Sequence, residues 1–193
     1  MFYRQGQYNL SERVILSLKK KKFKELFNFL ASSLAPQIEK LLSHEQISSS
    51  DCLFTFVPRK RISVRRQGFD QSKLLAKSLA KRFGVRELPL LLRTGGKEQK
   101  ALDRNERREN VERSLSLNLA RRGFRLKYRS LPLEVLLNVK AIIVVDDIMT
   151  SGESLRRAVE LLEQLSKSSQ SKPKIFAACV AKSSISFGES KKP

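Results

Sequence analysis

The segment 141–155, AIIVVDDIMTSGESL, constrains the fold of this chain more than any other stretch. It begins with five consecutive apolar residues, most of them β-branched, and such a run is typical of a parallel strand buried on both faces. Two adjacent carboxylates, Asp146 and Asp147, follow the run. The chain then passes through a hydroxyl-rich turn with Gly152 into a helical pattern that begins near Glu153. The segment therefore predicts a strand, a turn and a helix in an α/β fold.

The turn between this strand and this helix is rich in groups that bind phosphate. At the start of a helix several backbone N–H groups lack a helical partner, and hydroxyl side chains stand beside them here. The chain has no GxxxxGK[ST] sequence, which argues against a nucleoside-triphosphate loop. Two carboxylates before a phosphate site suit a sugar phosphate, because they accept hydrogen bonds from ribose hydroxyls. The alternative is a capped turn with solvated acids. The residues predicted to bind a 5′-phosphate are Thr150, Ser151, Gly152 and Ser154.

Other apolar runs extend the prediction to a whole sheet. Residues 51–57 and 175–181 also have the composition of buried strands, and helical patterns separate the runs. We expect a mostly parallel central sheet flanked by helices. The strand that ends at Asp146 should be central, with the strand that ends at Val57 beside it.

We divide the chain into a helical N-terminal extension (1–50), an α/β core (51–185) and a basic tail (186–193). Pro36 is expected to interrupt the helical pattern of the extension. His44 is the single histidine, and we expect it to face solvent rather than to bind a metal ion.

A basic segment follows the strand at residues 51–57. Five cations fall within the eight positions 59–66, with no acid among them. Ligands of open α/β sheets bind beyond the carboxyl ends of the strands, so we expect this loop to face the same crevice as the carboxylates and to bind pyrophosphate. A solvated basic loop is the alternative. The residues that we assign to pyrophosphate are Arg59, Lys60 and Arg66.

Further patterns fill the middle of the chain. Asp70 is the predicted N-cap of a helix that ends at Gly84. Short strands are expected at residues 88–93 and 114–119, and the polar segment 94–100 between them is a candidate lid.

The composition sets limits on compartment and partners. The chain has 193 residues, with 39 Lys and Arg against 19 Asp and Glu, for a formal net charge of +20. This length suits one well-buried domain, and the charge indicates anionic ligands or polyanionic partners, nucleic acid among them. The sequence contains no apolar stretch of membrane-spanning length and no signal-peptide core. Because Cys52 and Cys179 lie in apolar runs, we expect buried free thiols and a cytoplasmic protein.

The order of residues 141–154 resembles the phosphoribosyl-pyrophosphate signature of type I phosphoribosyltransferases. Other stretches, in the same order along the chain, resemble the ComF family of competence-associated phosphoribosyltransferase-like proteins. They are ILSLK at 15–19, Val57-Pro58 followed by GFDQ at 68–71, and a loop with Gln99, Leu102, Arg107, Asn110 and Val111. Gln67 and Asp70 stand where the family has Arg and Asn. The chain has no C-x-x-C pair and thus no sign of the family's zinc module, and residues 120–140 are longer and more basic than usual.

The resemblance implies a reaction and a set of roles. Pyrophosphate would be displaced at the anomeric carbon of phosphoribosyl pyrophosphate, with Asp146 and Asp147 as the catalytic residues. Mg²⁺ would be held through the substrate without a direct protein ligand, and zinc is not expected. Gln99, Arg107 and Asn110 would belong to a flexible loop. The alternative is a non-catalytic competence protein that keeps the fold and binds DNA or a partner protein. The acceptor and the oligomeric state stay open.

Overall fold

The computed structural model describes residues 2–3, 24–93, 114–118, 136–149 and 151–183. The elements in chain order are β1 (Phe2–Tyr3), α1 (Lys24–His44), β2 (Cys52–Phe56), α2 (Arg61–Gln67), α3 (Gln71–Phe83), β3 (Leu91–Arg93), β4 (Leu115–Leu117), β5 (Ala141–Met149), α4 (Glu153–Ser168) and β6 (Lys174–Ser183). A short 3-10 helix, Ser49–Asp51, precedes β2. The alternation of strands and helices confirms the predicted α/β class.

The main sheet has the strand order β1-β6-β5-β2, and all its pairs are parallel. β2 and β5 pair from Cys52 opposite Ala141 to Phe56 opposite Val145. The backbone N–H of Val57 then donates to the carbonyl of Val145 at 2.9 Å. The prediction that these two strands are neighbours is therefore confirmed, and β5 is an inner strand. β3 and β4 form a separate antiparallel pair.

β5 is longer than its apolar run. The run ends at Val145, yet pairing with β6 continues until Met149 lies opposite Lys182. Backbone hydrogen bonding does not require apolar side chains, so the strand passes through both carboxylates. Asp146 and Asp147 thus lie within the carboxyl-terminal part of the strand, which gives them a fixed backbone.

Both faces of the sheet are covered, which explains why β2 and β5 lack polar alternation. Successive side chains of a strand point to opposite faces. Phe54 and Ile143 belong to a hydrophobic cluster with α1 and α3. Leu53 and Ile142 belong to a second cluster on the other face, with α4 and the β3–β4 pair. The site-bearing ends of β2 and β5 therefore extend from a rigid core.

The N-terminal helix differs from its prediction. The expectation that Pro36 interrupts it was wrong, because α1 runs unbroken from Lys24 to His44. Pro36 is exposed, so water can satisfy the carbonyl that loses its helical partner. His44 is exposed, as predicted. α1 packs on α3 and contributes to the same cluster as the sheet, while the division of the chain at residues 50 and 185 stays a prediction.

Two other expectations need correction. β6 is a parallel strand as predicted, but its residues 174–180, including Cys179, are half-buried or exposed rather than buried. Its outer neighbour in the described residues is the two-residue β1, so most of β6 forms an edge. Within the described residues neither Cys52 nor Cys179 forms a disulfide, and Cys52 is buried. The basic segment is not wholly a loop, because residues 61–67 form α2.

The helices within the described ranges include none that is both long enough and apolar enough to span a membrane.

Candidate functional site

The carboxylate pair lies at the carboxyl end of β5. Asp147 is buried, with 5% of its surface exposed, and Asp146 is half-buried. The backbone N–H of Asp147 donates to Oδ1 of Asp146 at 3.0 Å. This bond fixes one oxygen of Asp146 against the backbone of its neighbour.

Ser72, in the first turn of α3, lies between the two carboxylates. Its hydroxyl is 3.0 Å from Oδ1 of Asp146 and 3.4 Å from Oδ1 of Asp147. It also accepts a hydrogen bond from the backbone N–H of Asp147 at 3.2 Å. The amino end of a helix carries a partial positive charge, so the start of α3 suits two nearby acids.

Arg59 connects the end of β2 to the carboxylates. Its Nη2 lies 3.0 Å from Oδ2 of Asp147, in an ion pair whose side chains are 25% and 7% exposed. Its Nη1 donates to Oε1 of Gln67 at 2.6 Å, and its backbone N–H donates to Oδ2 of Asp70 at 2.9 Å. Two contacts therefore hold the guanidinium, and a third fixes the backbone of Arg59, beyond the end of β2.

Asp70 organises the start of α3, as predicted. Its Oδ1 accepts from the backbone N–H of Lys73 at 3.2 Å, which makes it the N-cap. Burial raises the pKa of Asp70, against the lowering effect of the bonds from the backbone N–H groups of Arg59 and Lys73. The same side chain thus caps the helix and fixes the backbone of Arg59. The helix ends at Gly84, also as predicted.

The electrostatics of the pair are unfavourable to two negative charges. Burial, and after it the charge of Asp147, raises the pKa of Asp146 to about 7. The hydrogen bond from Ser72 acts in the opposite direction. The site therefore holds a carboxyl group that titrates near neutral pH.

The helix after β5 begins at Glu153, as its sequence predicts. Gly152 is the N-cap of α4 with a φ of 78°, in the left-handed region that favours glycine. Its carbonyl accepts the first helical bond, from Arg156 N at 2.8 Å. Ser151 is exposed, and Ser154 lies in the first turn of α4. Thr150 lies outside the described residues.

Arg93, at the end of β3, is a site residue that the sequence did not single out. Its Nη2 donates to Oγ of Ser154 at 2.9 Å. Its Nε is buried and has no partner among the described residues. Burial lowers the pKa of Arg93, while the charges of Asp146 and Asp70 raise it. The signal that points to Arg93 is its position at the end of a strand, which resembles the position of Asp146 and Asp147 near the end of β5.

Ser72 was also missed, because a single serine in an amphipathic helix resembles many others. Of the three cations assigned to pyrophosphate, Arg59 is the one whose contact with a site carboxylate, Asp147, is found among the described residues. Lys60 is half-buried at the N-cap of α2, and Arg66 is exposed in its last turn. The predicted loop residues Gln99, Arg107 and Asn110 lie outside the described residues. The ligand roles of all these residues stay predictions.

Comparison with known families agrees with this geometry. A family model described as phosphoribosyl transferase domain matches residues 62–188, which is more than half of the chain. The matched segment contains Ser72, Arg93, the carboxylate pair and the turn at Gly152, whereas Arg59 precedes it. The comparison with curated proteins finds no match.

Proposed function

The chain belongs to the phosphoribosyl transferase domain family, and we propose that it binds phosphoribosyl pyrophosphate and transfers the phosphoribosyl group to an acceptor. One observation carries this proposal. Asp147, one of the two carboxylates on β5, forms an ion pair at 3.0 Å with Arg59, which follows the adjacent strand β2. Phosphoribosyl pyrophosphate carries a ribose between a 5′-phosphate and a pyrophosphate. Its binding therefore needs acids for the ribose hydroxyls and cations for the phosphates at one sheet edge.

The acids are assigned to the ribose. Asp146 and Asp147 would accept hydrogen bonds from its hydroxyls and favour the positive charge that develops at the anomeric carbon as pyrophosphate leaves. Because Asp147 is already paired with Arg59 at 3.0 Å, the half-buried Asp146 is the more available acceptor.

The start of α4 is assigned to the 5′-phosphate. Ser151, Gly152 and Ser154 surround the amino end of this 16-residue helix, where backbone N–H groups and the helix dipole favour an anion. Thr150 is the fourth residue of this assignment. Arg93 strengthens it, because its guanidinium already donates to the Ser154 hydroxyl.

The cations are assigned to the leaving pyrophosphate. Arg59 is the strongest candidate, since it follows β2 and pairs with Asp147 on the neighbouring strand β5. Lys60 and Arg66 are weaker candidates, because α2 places Arg66 on its exposed side. Fixed cations stabilise charge that builds up on a leaving group without reorganisation in the transition state.

Mg²⁺ fits this site as a partner of the substrate. The described residues contain no group of three or more His, Cys, Asp or Glu that could hold a metal ion. Magnesium commonly keeps its waters and binds through substrate phosphates, so the pyrophosphate and ribose oxygens would hold it. When bound, it would neutralise charge on the leaving pyrophosphate. We assign no protein residue as its direct ligand.

We propose more specifically that the protein is cytoplasmic and has a competence-associated role like that of the ComF family. This more specific proposal rests on the ordered motifs of the sequence, and the family match itself is to the broader domain family. A second candidate, a DNA-binding protein that retains the fold, is favoured by the net charge of +20 and by the exposed Arg65 and Arg66 on α2. Such binding would rest on phosphate contacts, so it should be tolerant of sequence and weaken strongly between low and physiological salt.

Calorimetric titration with phosphoribosyl pyrophosphate and Mg²⁺ tests the proposed function. We expect saturable binding that Arg59→Ala weakens. Arg82→Ala is the matched control, because Arg82 is an exposed cation on α3 that contacts Ser32 at 3.3 Å. Pyrophosphate release in a screen of acceptors then tests transfer. A folded protein that binds DNA but not phosphoribosyl pyrophosphate would refute the proposal in favour of the second candidate.

A further inference from the structure

Ser72 is buried, with no exposed surface, although it is polar. A hydroxyl carries one hydrogen and can donate to only one acceptor at a time. The distance of 3.0 Å to Oδ1 of Asp146, against 3.4 Å to Oδ1 of Asp147, identifies Asp146 as its acceptor. Its oxygen accepts from the Asp147 N–H at 3.2 Å, and this N–H is shared with Oδ1 of Asp146 at 3.0 Å. The hydroxyl thus donates one hydrogen bond and accepts another, and both partners belong to the carboxylate pair.

The two carboxylate oxygens of Asp146 differ in their hydrogen-bond partners. Oδ1 accepts from the Ser72 hydroxyl and from the Asp147 N–H. No donor to Oδ2 is found among the described residues. We propose that Ser72 is a positioning residue for substrate binding, which holds Oδ1 of Asp146 towards α3 so that Oδ2 is presented, ionised, to the ribose hydroxyls. This inference rests on the proposed function for the identity of the ligand.

The charged surroundings explain why a neutral donor is needed here. The charge of Asp147 on β5 disfavours a negative charge on Asp146, and Asp70 before α3 is a second acid that interacts with Asp147. Arg59 beyond β2 favours that charge, but it is engaged by Asp147 at 3.0 Å. Arg93 on β3 favours it as well, and it donates to Ser154. The hydroxyl of Ser72 stabilises the ionised carboxylate without adding a charge that would compete for Asp147.

The variants Ser72→Ala and Ser72→Cys both remove the strong donor. The cysteine, whose side chain is slightly larger than that of serine, leaves no cavity in case the alanine variant does not fold. Ser72→Thr restores the hydroxyl. Ser78→Ala is the matched control, because Ser78 lies on the same helix and its hydroxyl contacts Asn28 at 3.1 Å, away from the carboxylates. Circular dichroism establishes which variants are folded.

The first readout is the titration of the Asp146 carboxyl by ¹³C NMR, assigned with Asp146→Asn. Loss of the Ser72 donor should raise its midpoint by about one pH unit, because a hydrogen bond to a charged group is lost. The second readout is affinity for phosphoribosyl pyrophosphate with Mg²⁺. If only ionised Asp146 binds, such a shift lowers affinity about fivefold at pH 7 and less than twofold at pH 8.5. Ser72→Thr should restore both values towards those of the parent, and Ser78→Ala should change neither.

The outcomes separate this inference from the proposed function. An unchanged midpoint in the folded Ser72→Ala or Ser72→Cys variant overturns it. A shifted midpoint with unchanged affinity at every pH also overturns it, because Ser72 would then not act in substrate binding. If the parent protein binds no phosphoribosyl pyrophosphate, the proposed function and the role in binding both fail, and the NMR titration still decides whether Ser72 controls Asp146.

Discussion

Replacement of Asp146 by Asn should stabilise the protein and weaken its ligand binding at the same time. Burial and the charge of Asp147 raise the pKa of Asp146 from 3.8 to about 7. The unfolded chain releases this proton near pH 4, whereas the folded protein holds it until about pH 7. Ionisation therefore costs the folded state stability as the pH rises between these values, and the full cost is present above pH 7. Asn carries no charge and removes that cost.

The size of the effect follows from the pKa difference. One pKa unit corresponds to about 1.4 kcal/mol, so the difference sets an upper bound of about 4 kcal/mol for the gain above pH 7. Relaxation around the carboxyl reduces this bound, and we expect on the order of 2 to 4 kcal/mol. For a chain of this size that gain would raise the unfolding temperature at pH 8 by roughly 5 to 15 °C. At pH 5 the parent is protonated, and the two proteins should unfold at nearly the same temperature.

Thermal unfolding at pH 5 and pH 8, followed by circular dichroism, measures this effect. Asp51→Asn is the matched control, because Asp51 pairs with the exposed Lys140 at 2.8 Å and its loss should cost at most about 1 kcal/mol. At pH 8 the stabilised Asp146→Asn variant should bind phosphoribosyl pyrophosphate about tenfold or more weakly, since it lacks a charged acceptor. Equal stability differences at the two pH values would refute the burial argument, and unchanged affinity would refute the role of Asp146 in the site.

Three further predictions follow from neighbouring residues. Asp147→Asn should destabilise the protein by on the order of 3 kcal/mol at pH 8, because it leaves Arg59 without its carboxylate. This effect is opposite in sign to that of Asp146→Asn. Urea denaturation measures it, and a gain in stability would contradict the prediction. Arg93→Met should weaken phosphoribosyl-pyrophosphate binding roughly tenfold without loss of stability, because it removes a half-buried cation whose buried Nε has no partner among the described residues. Calorimetry and thermal unfolding measure the two effects, and equal binding would exclude Arg93 from the site. Gly152→Ala should cost about 1 kcal/mol of stability, because its φ of 78° strains any residue with a Cβ; an unchanged unfolding temperature would contradict this.

Local pattern was enough to predict several parts of the fold and the site. The unbroken apolar runs predicted β2 and β5, because strands covered on both faces need no polar alternation. Asp70 was predicted as a cap, because short acidic side chains bond the free N–H groups of a helix start. The glycine of the turn after β5 was predicted at the amino end of α4, where it is found. These features depend on neighbours within a few positions, and the amino-acid sequence alone determines them.

Long-range packing decided the rest. Ser72 reaches Asp146 across 74 positions, because α3 packs on the sheet with its amino end at the end of β5. Arg93 reaches Ser154 across 61 positions because the β3–β4 pair packs in one hydrophobic cluster with α4. No residue pattern within α3 or β3 encodes those distances. The near-neutral pKa of Asp146 arises in the same way, since burial and a second carboxylate exist only once the chain is folded. The sequence alone therefore determined which acids lie at the strand end, and only the tertiary structure decided which groups surround them and how they ionise.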